Sequence, residues 1–231
     1  MRRSLSVWQR ADPSLEAPSA PPDVQLWALH QQRLLLLLRD RAAVAEAVLP
    51  RLPAALRSST GETLAAMADL RRLAPAHPPR RRWKVGPPLA AGRLLALYRQ
   101  AQRRFHVAWP VLAAVNFVET GFNKLRNNSI AGAKGPMQFM PSTWRAYGLG
   151  GDVQDPRDAI LGAANYLHAA GAPASYRRAL YAYNASSLYV DAVLRYARRM
   201  RSSLRAFLSY YSWSVFVRTP AGKLRRLTGP R

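Results

Sequence analysis

Apolar residues recur at helical spacing through most of this 231-residue chain. Residues 89–105 place Leu94, Leu95, Leu97, Tyr98 and Phe105 on one side and Arg99, Arg103 and Arg104 on the other, which predicts an amphipathic helix. The next stretch, from Pro110, is almost wholly apolar: Leu112, Val115, Glu119 and Phe122 fall in helical phase. Pro110 suits a first helical position and Gly121 supplies a stop. Further helices are predicted from Pro141 to near Gly148, from Pro156, over 173–183 and over 187–203. Asp155 is a natural N-cap for the helix at Pro156, with Asp158 as a capping-box acid. The helix over 187–203 carries an apolar stripe of Leu188, Ala192, Val193, Tyr196 and Met200.

Upstream, residues 27–73 read as an antiparallel helical hairpin, broken at Pro50 and Pro53, with its second helix starting near Ser59 or Thr60. The leucines at 34–38 are far too few for a membrane span of about 20 residues. Residues 1–26, rich in Pro, Ala and Ser, read as a flexible lead, and residues 74–88, with five prolines and the Arg80–Arg82 run, as a linker. From residue 205 the period changes. Trp213, Val215 and Val217 alternate with Ser214, Phe216 and Arg218, a turn follows at 219–222, and a short β-hairpin over 205–231 is expected. Tyr210, Tyr211 and Trp213 would serve it as edge packing or as sugar-stacking rings. The fold class is therefore mainly α.

One acid stands out in this pattern. Glu119 lies on a face that wants to be buried, and burial without a cation disfavours the carboxylate. A raised pKa suits a general acid. After residue 69 the chain offers only Glu119, Asp152, Asp155, Asp158 and Asp191, and the aspartates read as turn, cap or exposed-helix residues. Two-carboxylate glycosidase chemistry thus has no evident second partner.

The formal charge of +23 is spread along the chain. Residues 1–83 carry 13 Lys and Arg against 7 Asp and Glu, residues 84–200 carry 15 against 5, and residues 201–231 carry 7 against none. Such a surface favours polyanions of any kind, and no zinc-finger, RNP-type or convincing helix-turn-helix pattern accompanies it. No nucleic-acid partner is expected; anionic cell-wall polymers fit the charge equally well. There is no cysteine, and His30, His77, His106 and His168 show no ligand spacing, so no metal and no cofactor is expected. Arg2 and Arg3 are not followed by the apolar run of a signal peptide.

The order of three motifs narrows the function. Glu119-Thr120-Gly121-Phe122, then SIAGAKGPMQFMPST from Ser129, then Ala182-Tyr183-Asn184, resembles the catalytic domain of bacterial lytic transglycosylases, over about Leu89 to Met200. The resemblance implies a lysozyme-like α-helical catalytic domain (89–204), related to goose-type lysozyme, flanked by the N-terminal hairpin and C-terminal β-hairpin. It implies a substrate of peptidoglycan glycan strands, with Glu119 acting as acid and then base, and 1,6-anhydromuramoyl products. Ser129, Met137, Gln138, Tyr181, Tyr183 and Asn184 become expected substrate-binding residues. A water-using muramidase on the same fold and a non-catalytic wall-binding protein are the alternatives. Thr120 replaces the commoner serine, and the spacing from Glu119 to Ser129 differs from some relatives. Action in the cell envelope by a monomer is expected, although the sequence displays no export signal.

Overall fold

The computed structural model describes residues 1–74 and 81–228, so His77 and residues 75–80 of the expected linker lie outside the described residues. The chain is mainly α-helical and ends in a two-stranded antiparallel ribbon. In chain order the helices are α1 (Arg2–Ala11), α2 (Pro22–Asp40), α3 (Ala42–Val48), α4 (Ala54–Leu73), α5 (Ala91–Phe105), α6 (Trp109–Thr120) and α7 (Pro141–Tyr147). They continue with α8 (Pro156–Ala169), α9 (Tyr176–Tyr183), α10 (Ser187–Ser202) and α11 (Leu204–Tyr211). The ribbon pairs β1 (Val215–Arg218) with β2 (Leu224–Leu227), Val215 opposite Leu227.

Helix α6 sits at the centre because seven consecutive residues, Pro110 to Asn116, are buried. Helices α5, α8 and α10 surround it. Its polar member is held from both sides: Tyr98 Oη of α5 donates to Asn116 Oδ1 at 2.6 Å, and Asn116 Nδ2 donates to the Pro136 carbonyl at 2.9 Å. Asp155 caps α8 as expected, accepting from the Arg157 and Asp158 N–H groups at 2.9 and 3.0 Å. Asp158 does not close a capping box. Its carboxylate accepts from the Asp152 N–H at 3.1 Å and so tightens the preceding turn instead.

Three expectations about the flanks need correction. Residues 1–26 are not a flexible lead: α1 buries Leu5 and Trp8, and Leu15 and Ala20 are buried beyond it. Aliphatic and indole burial outweighs the polar composition. Residues 27–73 are more than a two-helix hairpin, since α3 and a 3₁₀ turn (Leu49–Arg51) intervene and α4 begins at Ala54, right after Pro53. Residues 205–211 are helical, and the ribbon is confined to 215–227. The aromatic run there packs from a helix: Tyr210 and Tyr211 are buried on α11, as is Trp213 just beyond it.

The flanks share the core with the central helices. Helix α4 lies along α10, where Glu62 pairs with Arg195 and Arg198 at 3.4 and 2.9 Å. Thr63 Oγ1 and Tyr210 Oη are 2.8 Å apart. Gln32 of α2 grips the C-terminal segment like a strand partner, donating to the Ser214 carbonyl and accepting from its N–H, both at 2.9 Å. Phe117 of α6 meets Tyr196, Phe122, Tyr210 and Trp213 with ring centroids 4.9 to 5.8 Å apart. No helix among the described residues is long and apolar enough to cross a membrane.

Candidate active site

Glu119 occupies the last turn of α6, which Gly121 closes in the left-handed conformation (φ 60°). Glycine is favoured there because a Cβ strains this backbone. Thr120 then fixes the exit. Its hydroxyl donates to the Pro136 carbonyl at 2.7 Å and accepts from the Asn123 N–H at 2.9 Å. The hydroxyl thereby staples the end of the acid-bearing helix to the loop that carries Met137 and Gln138. Serine has the same hydroxyl, which explains why threonine can stand in its place.

That loop folds back on itself. Lys134 and Phe139 exchange backbone hydrogen bonds of 2.8 Å in both directions, with Gly135 (φ 74°) and Gln138 (φ 50°) both left-handed between them. Gln138 is held in this conformation by its own amide, which donates to the Gly135 carbonyl at 2.9 Å. Upstream, Ser129 Oγ accepts from the Ala133 N–H at 2.9 Å, so this hydroxyl first of all shapes the loop.

Glu119, Ser129 and Gln138 line one cleft of about 670 Å³, together with Asn127 and Asn128. Among the described residues that line it, Glu119 is the one carboxylate. The other wall comes from elements distant in sequence: Met67, Leu70 and Arg71 of α4, Arg81 and Trp83, and Phe216 and Arg218 of β1. The other expected site residues are distributed differently. Met137 has a fully buried side chain and belongs to the core; what it offers is its carbonyl, which accepts from Tyr183 Oη at 2.6 Å. Tyr183 lies near enough to Glu119 for that charge to push its own phenol pKa up, after burial, which pushes hardest. Asn184 terminates α9 and is exposed, and Tyr181 points outward, 53% exposed, away from the cleft. Of the expected substrate-binding residues, Met137 thus faces the core with its side chain, and Tyr181 is not among the residues lining this cleft.

Sequence reasoning missed Tyr189. Its hydroxyl donates to Glu119 Oε1 at 2.7 Å from the buried face of α10. The stripe of that helix is in phase with Tyr189 as well as with Leu188, and a tyrosine in a buried phase needs a partner for its hydroxyl. Glu119 feels two opposed influences. Burial raises its pKa, and the Tyr189 hydrogen bond, which favours the carboxylate, lowers it; burial wins and leaves the group at about 7. Glu119 thus holds or releases a proton readily near neutral pH, as an acid that later acts as a base must. Tyr189→Phe removes the opposing influence. The alkaline limb of any activity that needs protonated Glu119 is then expected to move to higher pH, which a rate–pH profile of both proteins would reveal; an unmoved or acid-shifted limb refutes the role of Tyr189.

Residues 96–204 match the family described as the Transglycosylase SLT domain. No curated protein and no solved structure matches the chain.

Proposed function

We propose that the chain, whose residues 96–204 match the Transglycosylase SLT domain, is a peptidoglycan lytic transglycosylase of the lysozyme-like superfamily using Glu119 alone as its acid and base. The observation that carries this reading is the cleft itself, with a single carboxylate among its described lining residues, whose pKa is raised to about 7. Glu119 protonates the oxygen of the β-1,4 bond between N-acetylmuramic acid and N-acetylglucosamine, and the bond to the muramoyl C1 breaks. The substrate's own acetamido group stabilises the positive centre. Glu119, now a carboxylate, takes the proton of the muramoyl 6-hydroxyl as that oxygen attacks C1. The products are a free N-acetylglucosamine 4-hydroxyl and a 1,6-anhydromuramoyl end, with no water consumed. An attacking group within the same sugar avoids the entropic cost of fixing a second reactant.

Tyr189 holds the carboxyl in one orientation, while Gln138, Asn127 and Ser129 offer polar groups along the sugar path. Residues 89–204 are the catalytic unit in this reading, and the substrate puts its action in the cell envelope. The basic surface keeps the protein on an anionic polymer between cleavage events. Mass analysis of fragments released from purified peptidoglycan is the direct test. Anhydromuramoyl ends are expected. Reducing ends, heavier by one water, assign the same acid to hydrolysis, and no release at all removes the enzymatic reading.

A further inference from the structure

The Glu119 cleft continues into a smaller cavity of about 180 Å³, and the two share Arg81, Trp83, Val217 and Arg218. Arg225 joins them there, placed by the ribbon register opposite Val217. Among the described residues lining this cavity there are three arginines and no Asp or Glu. All three arginines lie outside the 96–204 segment.

The cations are held in place. Arg81 lies 5.1 Å over the Trp83 ring, and its Nη2 donates to the Asn128 carbonyl at 2.7 Å, tying it to the loop of the main cleft. Arg218 donates to the Gly222 carbonyl at 2.5 Å and reaches Asp40 at 3.4 Å. Asp40 is engaged more closely by Arg39, at 2.8 and 3.0 Å, so one carboxylate is shared between two guanidinium groups. Arg225 has no acidic partner among the described residues. Nor do the arginines act on the acid, whose pKa is governed by burial and by Tyr189. Three guanidinium groups around a small cavity repel one another, and an anion that brings several acceptor oxygens relieves this with charge-assisted hydrogen bonds.

The geometry points to a carboxylate-binding subsite, formed by Arg81, Arg218 and Arg225, that receives the acidic stem peptide of the muramoyl residue being cleaved. This rests on the proposed function for the identity of the substrate. The cavity suits a short side group better than a polymer backbone. Because it shares its lining with the cleft, it is open to a substituent of a sugar held there. Arginine is the appropriate residue, since its planar fork matches a carboxylate in two hydrogen bonds.

The test compares glycan strands bearing stem peptides with the same strands after an amidase has removed them. For Arg81→Gln combined with Arg225→Gln, the ratio of KM on stem-bearing to KM on bare strands is expected to rise about tenfold, the loss of a charge-assisted hydrogen bond or two. Arg225→Gln alone, on an exposed strand, is expected to give part of that rise and keeps the test valid if the double variant folds poorly. Equal losses on both strands, an effect on kcat alone, or no effect overturn the subsite. A second readout does not need turnover. Glu119→Gln protein is titrated calorimetrically with the free stem peptide and, separately, with inorganic phosphate. Peptide binding that Arg225→Gln weakens supports the subsite. Phosphate binding without peptide binding assigns the cavity to phosphate-bearing polymers and overturns it. If the wild-type protein cleaves neither strand, the enzymatic reading falls, while the titration still decides whether the subsite takes a carboxylate.

Discussion

Glu119→Gln is expected to reduce glycan release by about a hundredfold to ten-thousandfold while making the folded protein more stable at neutral pH. The rate loss follows from removing the one carboxylate among the described residues of the cleft, which on the proposed mechanism both gives and accepts the proton, a role worth about 10²–10⁴ in general acid–base catalysis. The gain in stability has the same physical origin. Burial holds the folded pKa at about 7, above the ordinary 4.5, so the folded state binds more protons than the unfolded state between those values. Stability from this group is full below about 4.5 and is lost as pH rises through 7. Above pH 7 the wild-type protein carries a charge that its surroundings disfavour, at a cost on the order of 3 kcal/mol. Glutamine is neutral at every pH and can still accept from Tyr189. Denaturant melts at pH 5 and pH 8 would therefore show the variant ahead at pH 8, with the difference shrinking toward pH 5. A variant less stable than wild type at pH 8 refutes the burial account of the acid.

Gly135→Ala is expected to destabilise the fold by at least about 3 kcal/mol and to lower activity in step. Two independent obstacles meet at this position. The backbone is left-handed, at φ 74°, and a Cβ there would lie 1.8 Å from the Val153 carbonyl oxygen, which is main chain and cannot swing aside. Relief requires the 134–139 turn to open or the segment around Val153 to retreat. Either movement loosens the Gly135 carbonyl that holds Gln138 and the Pro136 carbonyl that receives both Thr120 and Asn116. A chemical denaturation midpoint and a peptidoglycan release assay on the same preparation would measure both effects. Gly132→Ala is a useful contrast, since a Cβ there meets nothing within 4 Å and only the φ of 88° opposes it. If Gly135→Ala is as mild as Gly132→Ala, the close approach to Val153 does not govern the turn.

The central helices were legible because their signals are local. Pro110, the apolar run and Gly121 bound α6 to within a residue, and Asp155 and Pro156 mark the start of α8. Glu119 could be singled out by the same logic, as the lone acid in an apolar phase. Helix α1 was not legible: only two of its ten residues are buried, and their burial depends on partners elsewhere in the chain. Helix α11 departs from the strand reading because its aromatic residues, Phe207, Tyr210 and Tyr211, favour strands only where a sheet exists to receive them. Its partners are helices, with Trp8 of α1 6.3 Å from Tyr211. Tyr189 was lost to a choice of one residue in phase, and the stripe on α10 does not distinguish the two positions until α6 is laid against it. The arginine-lined wall leaves no trace in any window of the sequence, since Arg81, Arg218 and Arg225 come from two regions that meet only after folding.

The aromatic cluster around Phe117 bears on how such a chain can be cut and recombined. Its rings come from α6 and α10, within residues 96–204, and from Tyr210 and Trp213 beyond them. Lys124, a few residues past the acid, donates to the carbonyls of Tyr211 and Trp213, with so little access to water that its pKa falls to about 7. A junction placed at residue 204 would strip one face from this cluster and take away the carbonyls to which Lys124 donates. Gene fusions that borrow the 96–204 segment would need to carry the downstream aromatic segment with it. Boundaries drawn by sequence similarity and boundaries that survive shuffling are, in this molecule, different lines.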